Sequence, residues 1–97
     1  MAKGYWIAFY RSVSDPAALA DYGKLAGPAI QAAGGRFLAR GTAIQAFEAG
    51  IEERSVVIEF DSPEKAIEAY ESPAYKAARR VLEGAVERDV RIVEGVS

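Results

Sequence analysis

Every segment of this 97-residue chain that reads as a β-strand is apolar on both faces, while its helical stretches can cover only one. Tyr5-Trp6-Ile7-Ala8-Phe9-Tyr10 has large side chains at odd and even positions alike, and Val56-Val57-Ile58-Glu59-Phe60 does so with the exception of Glu59. Successive side chains on a strand point to opposite faces, so both faces of this sheet need shelter from water. The simplest cover for the second face is another copy of the chain, and a homodimer is expected.

The length fits one domain, residues 1–97. A chain this short buries roughly 65% of the surface its unfolded form exposes, so a solitary core is thin. The hydrophobic fraction is 51%, but alanine supplies much of it, which again favours a core shared between chains. Net charge is −2, with both signs scattered and no basic patch, so a nucleic-acid partner is not expected. The chain has no cysteine and no histidine. Disulfides, thiolate metal sites, the usual general base and the commonest metal ligand are therefore all excluded. No metal or cofactor is expected, since the acidic residues are spread rather than clustered. The apolar run from Tyr5 ends at Arg11, which is no signal-peptide core. No segment approaches the ~20 apolar residues of a membrane helix. A cytoplasmic protein without membrane contact is the expectation.

Residues 4–12 read as the first strand. Asp15-Pro16 supplies an N-cap and a first-turn proline for a helix running to Ala33, with Leu19, Tyr22, Ala26, Ile30 and Ala33 on its apolar stripe. Gly27-Pro28 predicts a kink or split in that helix. Residues 36–48 read as a long second strand with a bulge at Gly41-Thr42. Residues 54–60 form the third strand. Ser62 caps a second helix that breaks at Ser72-Pro73, and beyond the break Ala74, Ala78, Val81, Leu82 and Ala85 mark an apolar stripe. Residues 89–96 read as the fourth strand. The order β-α-β-β-α-β is the α+β, ferredoxin-like arrangement: a four-stranded antiparallel sheet with both helices on one face. Two such sheets packed face to face make a dimeric α/β barrel.

Tyr5-Trp6, Gly34-Gly35-Arg36-Phe37-Leu38-Ala39-Arg40-Gly41, Arg54 to Phe60, Ser72-Pro73-Ala74-Tyr75 and Ile92-Val93-Glu94-Gly95 together resemble the family catalogued as domain of unknown function 1330, in the dimeric α/β-barrel superfamily. The chain departs from that pattern at Thr42, where a second glycine is usual, and near Ile51, where a tryptophan is often found. The resemblance covers nearly the whole chain. It implies the fold, the dimer and a pocket between sheet and helices, and no reaction.

Four residues stand out as candidate ligand contacts. Glu59 lies mid-strand among apolar neighbours, where ionisation is costly without a partner. It reads either as a functional carboxylate or as half of an ion pair with Arg40. Arg40 has the planar fork that suits carboxylates, and either holds an acidic ligand or pairs with Glu59. Tyr22 and Tyr75 sit on helices as core aromatics or as polar contacts at a pocket. Arg54 reads as a solvated or interface charge, and Arg79-Arg80 as a wet helix face. The expected function is binding of a small organic molecule, an acidic one among the options, in a mainly apolar pocket. The alternatives are a cofactor-independent monooxygenase- or isomerase-like enzyme, by analogy with the superfamily, and a non-catalytic structural dimer.

Overall fold

The computed structural model describes residues 2–96. The chain forms four strands: β1 (Gly4–Val13), β2 (Arg36–Thr42), β3 (Arg54–Phe60) and β4 (Val86–Glu94). They form one antiparallel sheet in the order β2-β3-β1-β4. Three helices, α1 (Pro16–Ala32), α2 (Pro63–Glu71) and α3 (Pro73–Leu82), complete a β-α-β-β-α-α-β chain. The Cα trace is only 16 Å deep in its thinnest direction, a two-layer slab of sheet and helices.

Each helix starts as its sequence dictates. The Asp15 side chain accepts from the Ala18 N–H at 3.2 Å, and Ser62 from the Lys65 N–H at 3.2 Å. Ser72 ends α2 by donating its hydroxyl to the Ala69 carbonyl at 2.8 Å, and caps α3 by accepting from the Tyr75 N–H at 3.3 Å. That double role makes the break expected at Ser72-Pro73. Gly27-Pro28, by contrast, does not split α1. Proline leaves the Lys24 carbonyl without its helical donor. Lys24 and Pro28 are both exposed, so water can serve that carbonyl, while Tyr22, Ala26 and Ile30 hold both halves of α1 against the sheet.

The core lies between the sheet and the helices. Trp6, Ala8 and Tyr10 from β1, and Val56, Ile58 and Phe60 from β3, meet Tyr22, Ala26, Ile30, Ala66, Ala69, Tyr75, Ala78 and Leu82 from the helices.

Three sequence expectations need correction. The second strand ends at Thr42 rather than at residue 48, and residues 43–53 form a loop. Among the described residues no strand pairs with residues 43–48; the loop closes through the Ala43 N–H on the Glu53 carbonyl at 3.0 Å and turns at Glu48, whose φ is +54°. The β2 irregularity lies at Leu38, not at Gly41-Thr42: Phe37 faces Ile58 and Ala39 faces Val57, so Leu38 is the extra residue. The fourth strand begins at Val86 rather than at residue 89, and ends at Glu94.

Candidate functional site

The bulge at Leu38 decides which face each β2 side chain serves. Phe37 pairs with Ile58, and after the extra residue Arg40 pairs with Val56, so both lie on the helix-covered face of the sheet. Glu59 pairs with Tyr5 and Arg36 on the other face. Regular alternation would have put Arg40 on the face of Glu59; the added residue moves it to the other. The ion pair expected between Arg40 and Glu59 is therefore absent. Arg40 lies over the Phe37 ring, 4.4 Å from its centroid. Glu59 instead pairs with Arg36 at 3.1 Å and accepts from the Tyr5 hydroxyl at 2.9 Å.

The polar centre of the helix-covered side is Arg88. Val86, Val90 and Ile92 alternate with charged residues along β4 and pack against the core, and Arg88 occupies the same inward row. Opposite Tyr10 in the sheet, it donates to the hydroxyls of Tyr75 at 2.9 Å, Tyr10 at 3.2 Å and Tyr22 at 3.4 Å. The Tyr22 and Tyr75 hydroxyls are 2.6 Å apart and share a hydrogen bond. The guanidinium also lies 5.3 Å from the Tyr22 ring centroid and 5.5 Å from that of Tyr10, cation–π distances.

A cavity of about 30 Å³ separates α1 from the sheet next to this cluster. Its apolar wall includes Trp6, Ile30, Phe37 and Ile58, and Arg40, Arg54 and Arg88 supply its charge. The α1 side presents Gly23 and Gly27, and a Cβ built at either would meet nothing within 4 Å. Gly23, Arg40 and Arg54 also line an outer vestibule of about 480 Å³, with Leu19 and Lys24 on its rim. Among the described residues no acidic side chain lines either space, and none of the three arginines makes an ion pair.

Burial pushes the Tyr75 hydroxyl well above its ordinary value, with Tyr22 adding to the effect and Arg88 opposing it. Burial likewise raises Tyr10. Burial works against the Arg88 charge, but the oxygens of Tyr22, Tyr75 and Tyr10 outweigh it and hold the guanidinium above its usual range. At neutral pH the Arg88 cation thus faces the protonated hydroxyls of Tyr10 and Tyr75.

Three of the four residues singled out in the sequence meet here: Tyr22 and Tyr75 in the hydroxyl cluster, and Arg40 at the junction of cavity and vestibule. Glu59 lies on the opposite face of the sheet, away from both spaces. Tyr10 and Arg88, and Arg54 that the sequence reads as a solvated or interface charge, complete the site. The signal for Arg88 is the alternation Val86, Arg88, Val90, Ile92, which a strand begun at residue 89 truncates. Arg54 opens β3 two residues before Val56, on the helix-covered face; its Nε is buried without a partner among the described residues, unlike a solvated charge. Among the described residues no group of three or more acidic side chains converges as a metal site. No helix there is long and apolar enough to cross a membrane.

Glu59 has its own testable consequence. The Tyr5 hydroxyl, and then Arg36, hold its carboxyl below the usual range. A depressed folded-state pKa adds stability above the unfolded value, and that stability is lost as pH falls through the folded value. Glu59→Gln is therefore expected to lower Tm at neutral pH, with the gap from wild type closing below about pH 4. Melting curves showing a constant gap across that range would dismiss the linkage.

The model of a family described as a domain of unknown function (DUF1330) matches residues 3–96. No curated protein matches the chain. Among solved structures, the chain is similar to the RPA0582 protein of unknown function from Rhodopseudomonas palustris, with TM-score 0.74 and 17% identity over 99% of this chain and 84% of that one. It is similar to a dimeric ferredoxin-like protein of unknown function from Thermobifida fusca, with TM-score 0.56 and 16% identity over 96% of this chain and 91% of that one. It is also similar to a Nitrosomonas europaea protein provisionally described as an antibiotic biosynthesis monooxygenase, with TM-score 0.58 and 17% identity over 97% of this chain and 90% of that one. Identities this low carry the fold alone.

Proposed function

The chain belongs to the DUF1330 family, a domain family of unknown function, and from its own side chains we propose that it is a homodimer that binds a small organic molecule between α1 and the sheet. The observation that carries this reading is the pair of glycines on α1. Glycine inside a helix costs roughly 0.5–1 kcal/mol relative to alanine. At Gly23 and Gly27 a Cβ would meet open space, so packing gives no reason for glycine at either position. Their effect is to keep space beneath the helix, next to a cluster of arginine and tyrosine groups. A mainly apolar pocket with a few convergent polar groups is the usual form of a small-molecule site.

Binding is favoured over acid–base catalysis by the groups present. The cavity holds no carboxylate, the chain has no histidine, and Tyr75 stays protonated. The cavity thus lacks the usual general bases, histidine and carboxylate.

Support for the dimer comes from the uncovered sheet face. Ile7, Phe9, Val57 and Val93 form an apolar centre there, and Arg11, Asp89 and Arg91 a charged edge. An apolar middle with a polar rim is the usual anatomy of a protein interface. The similar Thermobifida fusca protein is described as dimeric.

The test is a fragment screen by ligand-observed NMR on wild type and Gly27→Leu. The leucine should fill the cavity, and hits on wild type should vanish. Gly27→Ala should raise stability by about 0.5–1 kcal/mol through helix propensity. A screen with the same hits and affinities in wild type and Gly27→Leu would overturn the proposed site.

A further inference from the structure

We infer that the ligand of this site is a carboxylate: a small organic acid whose charged end meets Arg54 and Arg88 and whose apolar body lies against the cavity wall and vestibule. The inference rests on the small-molecule site proposed above, and adds its charge and chemical class.

The first ground is an excess of donors. Arg88 directs both terminal nitrogens at tyrosine hydroxyls, so each of those oxygens already accepts a bond. Their own hydrogens must then be donated elsewhere. One serves the bond between Tyr22 and Tyr75. The other two, and the buried Arg54 Nε–H, have no acceptor among the described residues. A group that only accepts would satisfy them, and an ionised carboxylate is such a group.

The second ground is uncompensated charge. The Arg54 guanidinium lies 5.8 Å from the Tyr10 ring centroid and that of Arg88 5.5 Å from the same ring. Two like charges share a half-buried site without a counter-ion among the described residues. Such an arrangement is costly unless an anion joins it.

Size then selects the anion. A water-sized atom needs roughly 10–15 Å³ measured this way, so about 30 Å³ suits the two oxygens of a planar carboxylate. Guanidinium forks match that planar pair. The hydrocarbon walls of Ile30, Phe37 and Ile58 offer no hydrogen bond to the further oxygens of a phosphate. The vestibule, about 480 Å³ with Leu19 and Lys24 on its rim, has room for the remainder of the molecule.

The experiment uses matched acid and amide pairs: benzoate with benzamide, phenylacetate with phenylacetamide, and hexanoate with hexanamide. Inorganic phosphate is added as a separate probe. Binding is followed by amide chemical shifts of cavity residues and by the fluorescence of Trp6, the sole tryptophan. At least one acid should bind about tenfold or more tightly than its amide, and Arg54→Gln should cut that preference to about threefold or less. Arg88→Lys, which keeps the charge but loses the fork, should weaken the acid while its circular dichroism stays that of wild type. Equal binding of acid and amide at the cavity would overturn the carboxylate inference and leave the small-molecule site standing. Tighter binding of phosphate than of any acid would also overturn it. If no probe shifts the cavity resonances, both the inference and the site fail.

Discussion

Replacing Val57 with aspartate is expected to turn a dimer into monomers at micromolar concentration. Val57 lies near the middle of the uncovered sheet face, with Ile7 beside it on β1 and Ala39 on β2. A two-fold interface meets itself, so one substitution places two carboxylates in the same buried layer. Each would have to be desolvated without a partner, at several kcal/mol per ion, and like charges would repel. The helix-side core does not include Val57, so the fold within each chain should persist. Multi-angle light scattering should give twice the chain mass for wild type and the single mass for Val57→Asp, with unchanged circular dichroism. A monomeric wild type would show that the open face needs no partner, and a dimeric Val57→Asp would place the interface elsewhere.

The same residues show how far the sequence reaches. Strand and helix order were legible because Asp15-Pro16, Ser62-Pro63 and Ser72-Pro73 are strong local signals with a direct hydrogen-bonding cause. The pairing of Arg40 was not legible. One extra residue at Leu38 reverses the side-chain parity of β2 beyond it, and nothing in Arg36-Phe37-Leu38-Ala39-Arg40 marks which residue bulges. Residues 43–48 carry the large apolar side chains Ile44 and Phe47, yet Ile44 is 96% and Phe47 76% exposed in the loop. Apolar residues make a strand only where another strand meets them, and that partner is a long-range fact.

Arg88 was missed for a related reason. A charged residue at an inward position reads locally as the end of a strand, since burying it is costly. The compensation comes from Tyr10, Tyr22 and Tyr75, on three different elements. No local window contains that group. Functional sites are where such local inconsistency is expected, because a site keeps what packing alone would discard.

Trp6→Ala is expected to cause the largest loss of stability from a single core substitution, because Trp6 joins the fold to the site. It is 1% exposed and lies nearly parallel to Phe60, with centroids 6.2 Å apart and planes 12° apart. It meets Tyr75 edge-on at 4.8 Å and Tyr70 at 5.3 Å. Truncation removes these contacts and leaves a cavity that sheet and helices can only partly close, at about 3–5 kcal/mol. For a small domain that is a large share of the roughly 5–15 kcal/mol available. Trp6→Phe keeps an aromatic face toward Tyr75 and should lose less. Chemical denaturation followed by circular dichroism checks this, with all variants at one protein concentration, since the proposed dimerisation would make stability depend on it. A loss under about 1.5 kcal/mol for Trp6→Ala would mean that the core closes over the vacancy. A loss of the expected size should also free the Tyr75 ring, and with it the hydroxyl that holds Arg88. Acid binding in Trp6→Ala should then weaken even under conditions where the variant stays folded.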